Sequence, residues 1–233
     1  MHPKLIDLMI FAAGFGTRMK GLTDLIPKAL IKVGNKTLLD HTLSLQHKPN
    51  MNIIINAHYK HFLIENHLKD NPKIKVSVEK PSIYETGGGL KNAVPKMTND
   101  TVFTLNSDSI FKGISPLLLL EKAWDPDSME ALLLLVPPCR IIGHTGKGDF
   151  SINKGKKIDR NETGSVYTGA QIIKTGRVCK IKLKKFSLNL AWDEMLSERT
   201  IYGIEYPGFW IDVGSPSGIE NAEVFLKETQ LNV

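Results

Sequence analysis

Apolar positions in the first 136 residues gather into short, nearly unbroken runs separated by amphipathic stretches. Runs of strand length lie at 5–12, 52–56 (NIIIN), 74–78 (IKVSV), 101–106 (TVFTLN) and 131–136. Such runs, bounded by polar segments, suit strands buried on both faces, as in parallel sheets. The spacing predicts helices at 38–47, 59–69, 88–94 and 115–123. Strands alternating with helices imply an α/β fold, a largely parallel sheet with helices on both faces. Beyond 137 the pattern changes to Gly- and Lys-rich, hairpin-like pieces around GKGDFSI, NKGKKI and SVYTGAQIIK. A helix is expected at 187–198, then strands near 201–206 and 209–213 and a helix at 216–228. No repeat or linker divides the chain, so 1–233 is expected to be one domain: a core over 1–136, an insertion over 137–186, and closing strands and helix over 187–233.

Composition narrows the class. With 233 residues, 42% hydrophobic and 23% charged, the chain has the length for one substantial core. Asp7 interrupts the run LIDLMIFAA, which therefore reads as a strand and not as a leader sequence. No apolar stretch reaches the ~20 residues of a membrane span, so no membrane partner is expected. Cys139 and Cys179 show neither disulfide nor metal-ligand spacing, and a reducing cytoplasm is the expected setting. The net charge of +6 raises the question of nucleic acid, but the basic runs at 153–157 and 180–185 lack the interleaved aromatics of a stacking platform. Phosphorylated small molecules suit the same charge. His58 and His61 have no carboxylate or cysteine neighbours at ligand spacing, so no metal is expected there.

The candidate chemistry begins where the first run ends, in LMIFAAGFGTRMKGLTDLIPKAL at 8–30. A buried strand running into Gly14 and Gly16 aims backbone N–H groups at an anion. The dinucleotide fingerprint fails because its third glycine position is Met19, and the P-loop fails because Gly-Lys-Ser/Thr is absent. What remains brings two cations, Arg18 and Lys28, to the turn, as a nucleoside triphosphate would require. Asp108, just past the strand TVFTL, either caps a turn or holds a divalent cation against phosphate. Asp212 in FWIDVG repeats the arrangement. The cluster Glu85-Thr86-Gly87-Gly88-Gly89 reads either as a turn with Thr86 as helix N-cap or as backbone that lets a flat ligand such as a nucleobase approach.

The segments AAGFGTRMKGLTDLIPKAL, ETGGGLKNAVP, LNSD, GKGDF, VYTGA and WIDVGSP, in this order, resemble the sugar-1-phosphate nucleotidyltransferase family over nearly the whole chain. The resemblance is strongest to its short N-acetylmuramate-1-phosphate uridylyltransferase and mannose-1-phosphate guanylyltransferase branches. It implies a Rossmann-like, GT-A-like three-layer sandwich with a mixed, mostly parallel sheet and a small sugar-binding lobe. It also implies transfer of a nucleotidyl group from a nucleoside triphosphate to a sugar 1-phosphate. By motif match, Ala12, Ala13, Gly14, Gly16 and Thr17 hold the nucleotide, while Glu85, Thr86, Gly87 and Gly88 border its base and ribose. Arg18 and Lys28 bind phosphates, and Asp108 with Asp212 ligates Mg²⁺. Asn106, Asp149, Thr168, Gly169 and Glu162 are carried over to the sugar phosphate side. UTP with N-acetylmuramate 1-phosphate, in cell-wall recycling, is the expected pair, with GTP and mannose 1-phosphate as the alternative. Glu79 is a candidate acceptor from guanine if it reaches the base. Ser107 departs from the glycine that many relatives carry between the asparagine and the aspartate. A nucleotide-sugar glycosyltransferase and an inactive nucleotide-binding subunit are the rivals from other classes. The first commonly uses D-x-D where this chain has Asn106-Ser107-Asp108, and the second typically loses the cations and carboxylates that this chain keeps.

Overall fold

The structure, a computed structural model, describes residues 6–231. The expected first strand opens at residue 5, outside the described residues, as do both ends of the expected 1–233 domain. The first strands are β1 (Asp7–Phe11), the short β2 (Lys32–Val33) and β3 (Lys36–Thr37), β4 (Asn52–Ala57), β5 (Ile74–Val78) and β6 (Thr101–Asn106). Then come β7 (Ser109–Lys112), β8 (Ala131–Val136), β9 (Ile141–Ile142) and the pair β10 (Phe150–Ile152) and β11 (Ile158–Arg160). The last are β12 (Val166–Lys174), β13 (Ile201–Glu205) and β14 (Phe209–Asp212). The helices are α1 (Leu38–Leu43), α2 (His61–His67), α3 (Glu85–Ala93), α4 (Pro116–Ala123), α5 (Gly176–Lys180), α6 (Asn189–Ser197) and α7 (Pro216–Leu231).

Seven strands form the main sheet in the order β13-β8-β12-β6-β1-β4-β5. All neighbours run parallel except β12, which is antiparallel to both β6 and β8. Alternate side chains point to opposite faces. Leu8, Ile10, Ile53, Ile55, Phe103 and Leu132 pack on one side under α1, α2 and α4. Met9, Ile54, Val102, Leu133 and Leu135 pack on the other under α3, α5 and α6. The result is a three-layer α/β sandwich with a mixed, mostly parallel sheet.

One boundary needs correction. Val166–Lys174, assigned above to the 137–186 insertion, is an interior strand of the main sheet. Its Tyr, Thr and Gln gave it the look of a surface hairpin, but Ala170, Ile172 and Ile173 are wholly buried and Gln171 is buried with them. The part outside the sheet is chiefly the antiparallel β10–β11 hairpin. Its Lys156 carbonyl accepts from Gly203 N at 2.8 Å and so covers the outer edge of β13.

A second sheet, β7-β14-β9, stands beside the carboxyl end of β6 over a small core that includes Met19, Ile110, Ile211 and Val213. Asp7, which broke the first apolar run, is fully buried at the start of β1. It accepts hydrogen bonds from Asn52 Nδ2, Thr98 N and Oγ1, and Asn99 N and Nδ2. Asp7→Ala strands these donors and should lower stability by about 3 kcal/mol, read as a shift of the urea midpoint.

Candidate active site

The main sheet delivers β1, β4 and β6 side by side, and the loops after β1 and β6 meet above their carboxyl ends. Ala12 N donates to Asn56 Oδ1 at 2.8 Å, which pins the start of the glycine turn to the end of β4. Gly16 adopts φ +66°, and a Cβ there would lie 2.8 Å from Thr23 Cγ2 and 3.0 Å from Lys28 Cβ, so only glycine fits. The following turn is anchored by buried Met19. Pro27, extended at ψ 148°, then redirects the chain so that Lys28 Nζ reaches Asp108 Oδ2 at 2.5 Å.

Asp212 pairs in register with Ser109, and Val213 N donates to the Asp108 carbonyl at 2.9 Å. Two carboxylate-bearing residues about a hundred positions apart thereby become neighbours. Asp212 Oδ1 accepts from Gly214 N at 2.8 Å, and its Oδ2 lies 3.0 Å from His144 Nδ1. A Cβ on Gly214 would come within 2.7 Å of Asp212 Oδ1 and 3.0 Å of an Arg18 guanidinium nitrogen, so that glycine lets Arg18 and Asp212 close on one spot. Arg18, Lys28, Asp108, Gly14, Gly16 and Thr17 line a mostly polar cavity of 270 Å³, together with Ala12 and Ser107. Ser107 turns its hydroxyl back onto the Phe11 carbonyl at 2.8 Å, so the departure from glycine is absorbed by the backbone of β1.

A second cavity of 200 Å³ shares Phe11, Gly14 and Asp108 with the first. Ala13, Asn56 and Ile83 complete its inner wall, and Glu85, Thr86 and Asn106 its rim. A polar, cationic chamber opening beside a smaller, more apolar one has the shape of a site for a phosphate chain with an attached flat group.

Other expected residues are placed differently. Gly87 and Gly88 line neither cavity; with Gly89 they are buried inside α3, which begins at Glu85 with Tyr84 as its N-cap. A Cβ on Gly87 would meet the Phe186 ring at 2.4 Å, one on Gly88 the Lys184 carbonyl at 2.2 Å, and one on Gly89 both Asn56 Nδ2 and Glu79 Oε1 at 2.7 Å. The triple glycine serves close packing of protein on protein. Thr86 is no N-cap; its hydroxyl accepts from Leu188 N at 3.0 Å. Thr168 is wholly buried, with its hydroxyl bonded to the Leu134 carbonyl at 2.8 Å and its own carbonyl taken by Trp210 Nε1 at 3.1 Å. Gly169, at φ +84°, lets β12 pass close against Asn106. Asp149 Oδ2 accepts from Tyr167 N at 2.8 Å, and Glu162 pairs with Lys147 on the exposed hairpin side. Neither of these carboxylates lines the two cavities.

Glu79 does not read a base. It is completely buried, accepting from Asn56 Nδ2 at 2.7 Å and Tyr84 N at 2.6 Å. Burial pushes its carboxyl above the usual range, partly offset by those two hydrogen bonds. Asn56 and His144, and the buried place of Glu79, escaped the sequence reading. Asn56 sits within a strand-like run, and His144 lies in a glycine-rich loop without ligand spacing. His58 bonds the Glu79 carbonyl and His61 pairs with Glu65.

Comparison with known proteins shows the family. A sequence model described as nucleotidyl transferase matches residues 8–137. The chain is 32% identical to the N-acetylmuramate alpha-1-phosphate uridylyltransferase of Caulobacter vibrioides, over 94% of this chain and 96% of that protein. It is 25% identical to the D-glycero-alpha-D-manno-heptose 1-phosphate guanylyltransferase of Aneurinibacillus thermoaerophilus, over 94% and 97% of the two chains. The crystal structure of HddC from Yersinia pseudotuberculosis complexed with GMP-PN superposes with a TM-score of 0.72 at 23% identity, covering 95% of this chain and all of that one.

Glu85 adopts φ +62° at the rim of the smaller cavity, a conformation that costs a side chain with a Cβ about 1–2 kcal/mol. Its nearest counter-ion, Lys185, is 3.9 Å away and exposed, so the pair returns little of that cost. Glu85→Gly should therefore raise stability by about 1 kcal/mol in urea titration.

Proposed function

The chain belongs to the nucleotidyl transferase family and is a sugar-1-phosphate nucleotidyltransferase, and we propose that it couples UTP to N-acetylmuramate 1-phosphate with the aid of Mg²⁺. The observation that carries this reading is the gathering of Arg18, Lys28 and Asp108 at the glycine turn, with Asp212, which lines neither cavity, facing Arg18 across Gly214. An oxygen of the sugar phosphate bonds to the α-phosphorus of the nucleotide, and the bond from that phosphorus to the pyrophosphate oxygen breaks. The attacking oxygen is already anionic near neutral pH, so no side chain has to remove a proton. The residues at the cavity instead neutralise charge and hold the two phosphates in line.

In this reading the Ala12–Gly16 backbone and Thr17 cradle the nucleotide. Arg18 and Lys28 offset the charge of its phosphates, and Asn106 stands at the sugar phosphate. Glu85 and Thr86 border the base and ribose. Asp108 and Asp212 offer hard oxygen donors; among the described residues no group of three or more His, Cys, Asp or Glu is placed to hold a metal ion, so the ion would rest on these two carboxylates and the phosphates themselves. Two carboxylates with room for phosphate oxygens and water suit Mg²⁺ better than a softer or fully caged ion. When bound there, the ion supplies charge neutralisation at the reacting phosphates.

The uracil and muramate assignment is supported by the 32% identity to the Caulobacter vibrioides uridylyltransferase over nearly both full lengths. The guanine alternative is supported by the heptose 1-phosphate guanylyltransferase at 25% over a similar span. The hairpin β10–β11 is the proposed sugar-side lobe. A reducing cytoplasm suits the exposed free thiols of Cys139 and Cys179, and no helix among the described residues is long and apolar enough to cross a membrane.

The test is a matrix of four nucleoside triphosphates against N-acetylmuramate, mannose, glucose and N-acetylglucosamine 1-phosphates, scored by pyrophosphate release. UTP with N-acetylmuramate 1-phosphate should give the highest kcat/KM; a preference for GTP with mannose 1-phosphate would replace the substrates and keep the chemistry. In the same assay Asp108→Asn and Asp212→Asn should each lower kcat by roughly 10²-fold or more with unchanged circular dichroism.

A further inference from the structure

Glu79 touches neither cavity, yet it joins their walls. Its Oε1 accepts from Asn56 Nδ2 at 2.7 Å, and the other side of that amide, Oδ1, accepts from Ala12 N at 2.8 Å. Its Oε2 accepts from Tyr84 N at 2.6 Å, one residue before the rim residues Glu85 and Thr86. The chain of bonds therefore runs from the glycine turn after β1, through the end of β4, to the entry of α3. Among the described residues no Lys or Arg side chain pairs with Glu79, so the carboxylate is not retained as half of an ion pair. Burying an ionised carboxylate is costly unless its hydrogen bonds are met. An apolar side chain of similar volume would leave the Asn56 Nδ2 and Tyr84 N donors unmet. What the carboxylate alone offers here is two acceptor atoms, one for each lip.

We infer that Glu79 is a positioning residue that fixes the separation of the two lips of the nucleotide cavity, acting through Asn56 on one side and Tyr84 on the other; the inference rests on the nucleotidyl-transfer reading. Gly89 belongs to the same device, since a Cβ there would press within 2.7 Å of both Asn56 Nδ2 and Glu79 Oε1. Because the two lips carry Ala12, Glu85 and Thr86, the residues read here as holding the nucleotide, loss of the tie falls on nucleotide affinity.

Hydrogen-bond polarity supplies a test that a space-filling role would not pass. In Glu79→Gln one oxygen still accepts from Tyr84 N, but the new NH₂ faces the Asn56 NH₂ and the tie to Ala12 is lost. Adding Asn56→Asp reverses both ends of that contact. The amide introduced at position 79 donates to the carboxylate introduced at position 56, whose other oxygen accepts from Ala12 N. Every donor again meets an acceptor with the net charge unchanged.

Purified wild type, Glu79→Gln, Asn56→Asp and the double variant are compared with the nucleotide, sugar phosphate and Mg²⁺ that the wild type turns over best. Each single variant should raise the nucleotide KM about tenfold to a hundredfold and leave the sugar phosphate KM within about twofold. The double variant should recover most of the loss, a coupling that independent sites would not show. Should Glu79→Gln fail to fold, Glu79→Asp, which keeps the charge and shortens the reach, should show the same selective rise. A lower melting temperature with unchanged nucleotide KM would overturn the positioning role and leave a scaffold residue. Singles and double equally impaired would overturn the proposed path through Asn56. A wild type that releases no pyrophosphate with any pair would instead overturn the reaction itself, and the inference with it.

Discussion

A hydrogen bond from Val213 N to the Asp108 carbonyl, with Asp212 in register opposite Ser109, brings the backbones of two acidic residues together that begin far apart in the chain. A half-buried carboxylate needs something positive or proton-donating beside it. The surroundings are arranged accordingly: Lys28 lies on Asp108, His144 and the Gly214 amide on Asp212, and the Arg18 guanidinium beside Gly214. These partners come from several separate loops, so the small sheet β7-β14-β9 acts as the rivet through which the loops are aligned. The main sheet provides the floor, but the alignment of Asp212 beside Asp108 along the chain depends on this second sheet being seated at the end of β6.

Much of this was legible in the sequence because the governing constraints are local. Buried strands write themselves as apolar runs, and β4, β5, β6 and β8 fall where those runs fall. The glycine turn, the cation after a proline and the aspartates at strand ends are likewise short-range patterns, and the structure brings Gly14, Gly16, Arg18, Lys28 and Asp108 to one cavity. What was not legible is long-range. Glu79 looks like any surface acid in VEKPS, and only the fold shows it enclosed by Asn56 and Tyr84. The triple glycine suggested room for a ligand, whereas the space it leaves is filled by Phe186 and the Lys184 carbonyl from a hundred residues away. Thr168 was carried to the sugar side by motif match alone, and only the fold shows it buried with its hydroxyl bonded to the Leu134 carbonyl inside the sheet.

These two kinds of feature divide the labour. The charged residues gathered at the first cavity, Arg18, Lys28 and Asp108, follow strand ends or turns that aim them. The polar groups that hold those loops still are buried, neutral or singly charged, and spend their hydrogen bonds on backbone N–H groups. Preorganisation of this sort lets a site made from several loops keep its geometry.

The Lys156 carbonyl on Gly203 N closes the outer edge of β13, whose Ile201 and Ile204 lie in a sheet that would otherwise offer a free strand to another molecule. The hairpin that carries Lys156 lines neither of the two cavities around β1 and β6, yet it is not spare chain. Shortening it would uncover an apolar strand edge, the usual starting point for β-pairing between copies. Resistance to self-association and the seating of this lobe are thus tied to the same few residues.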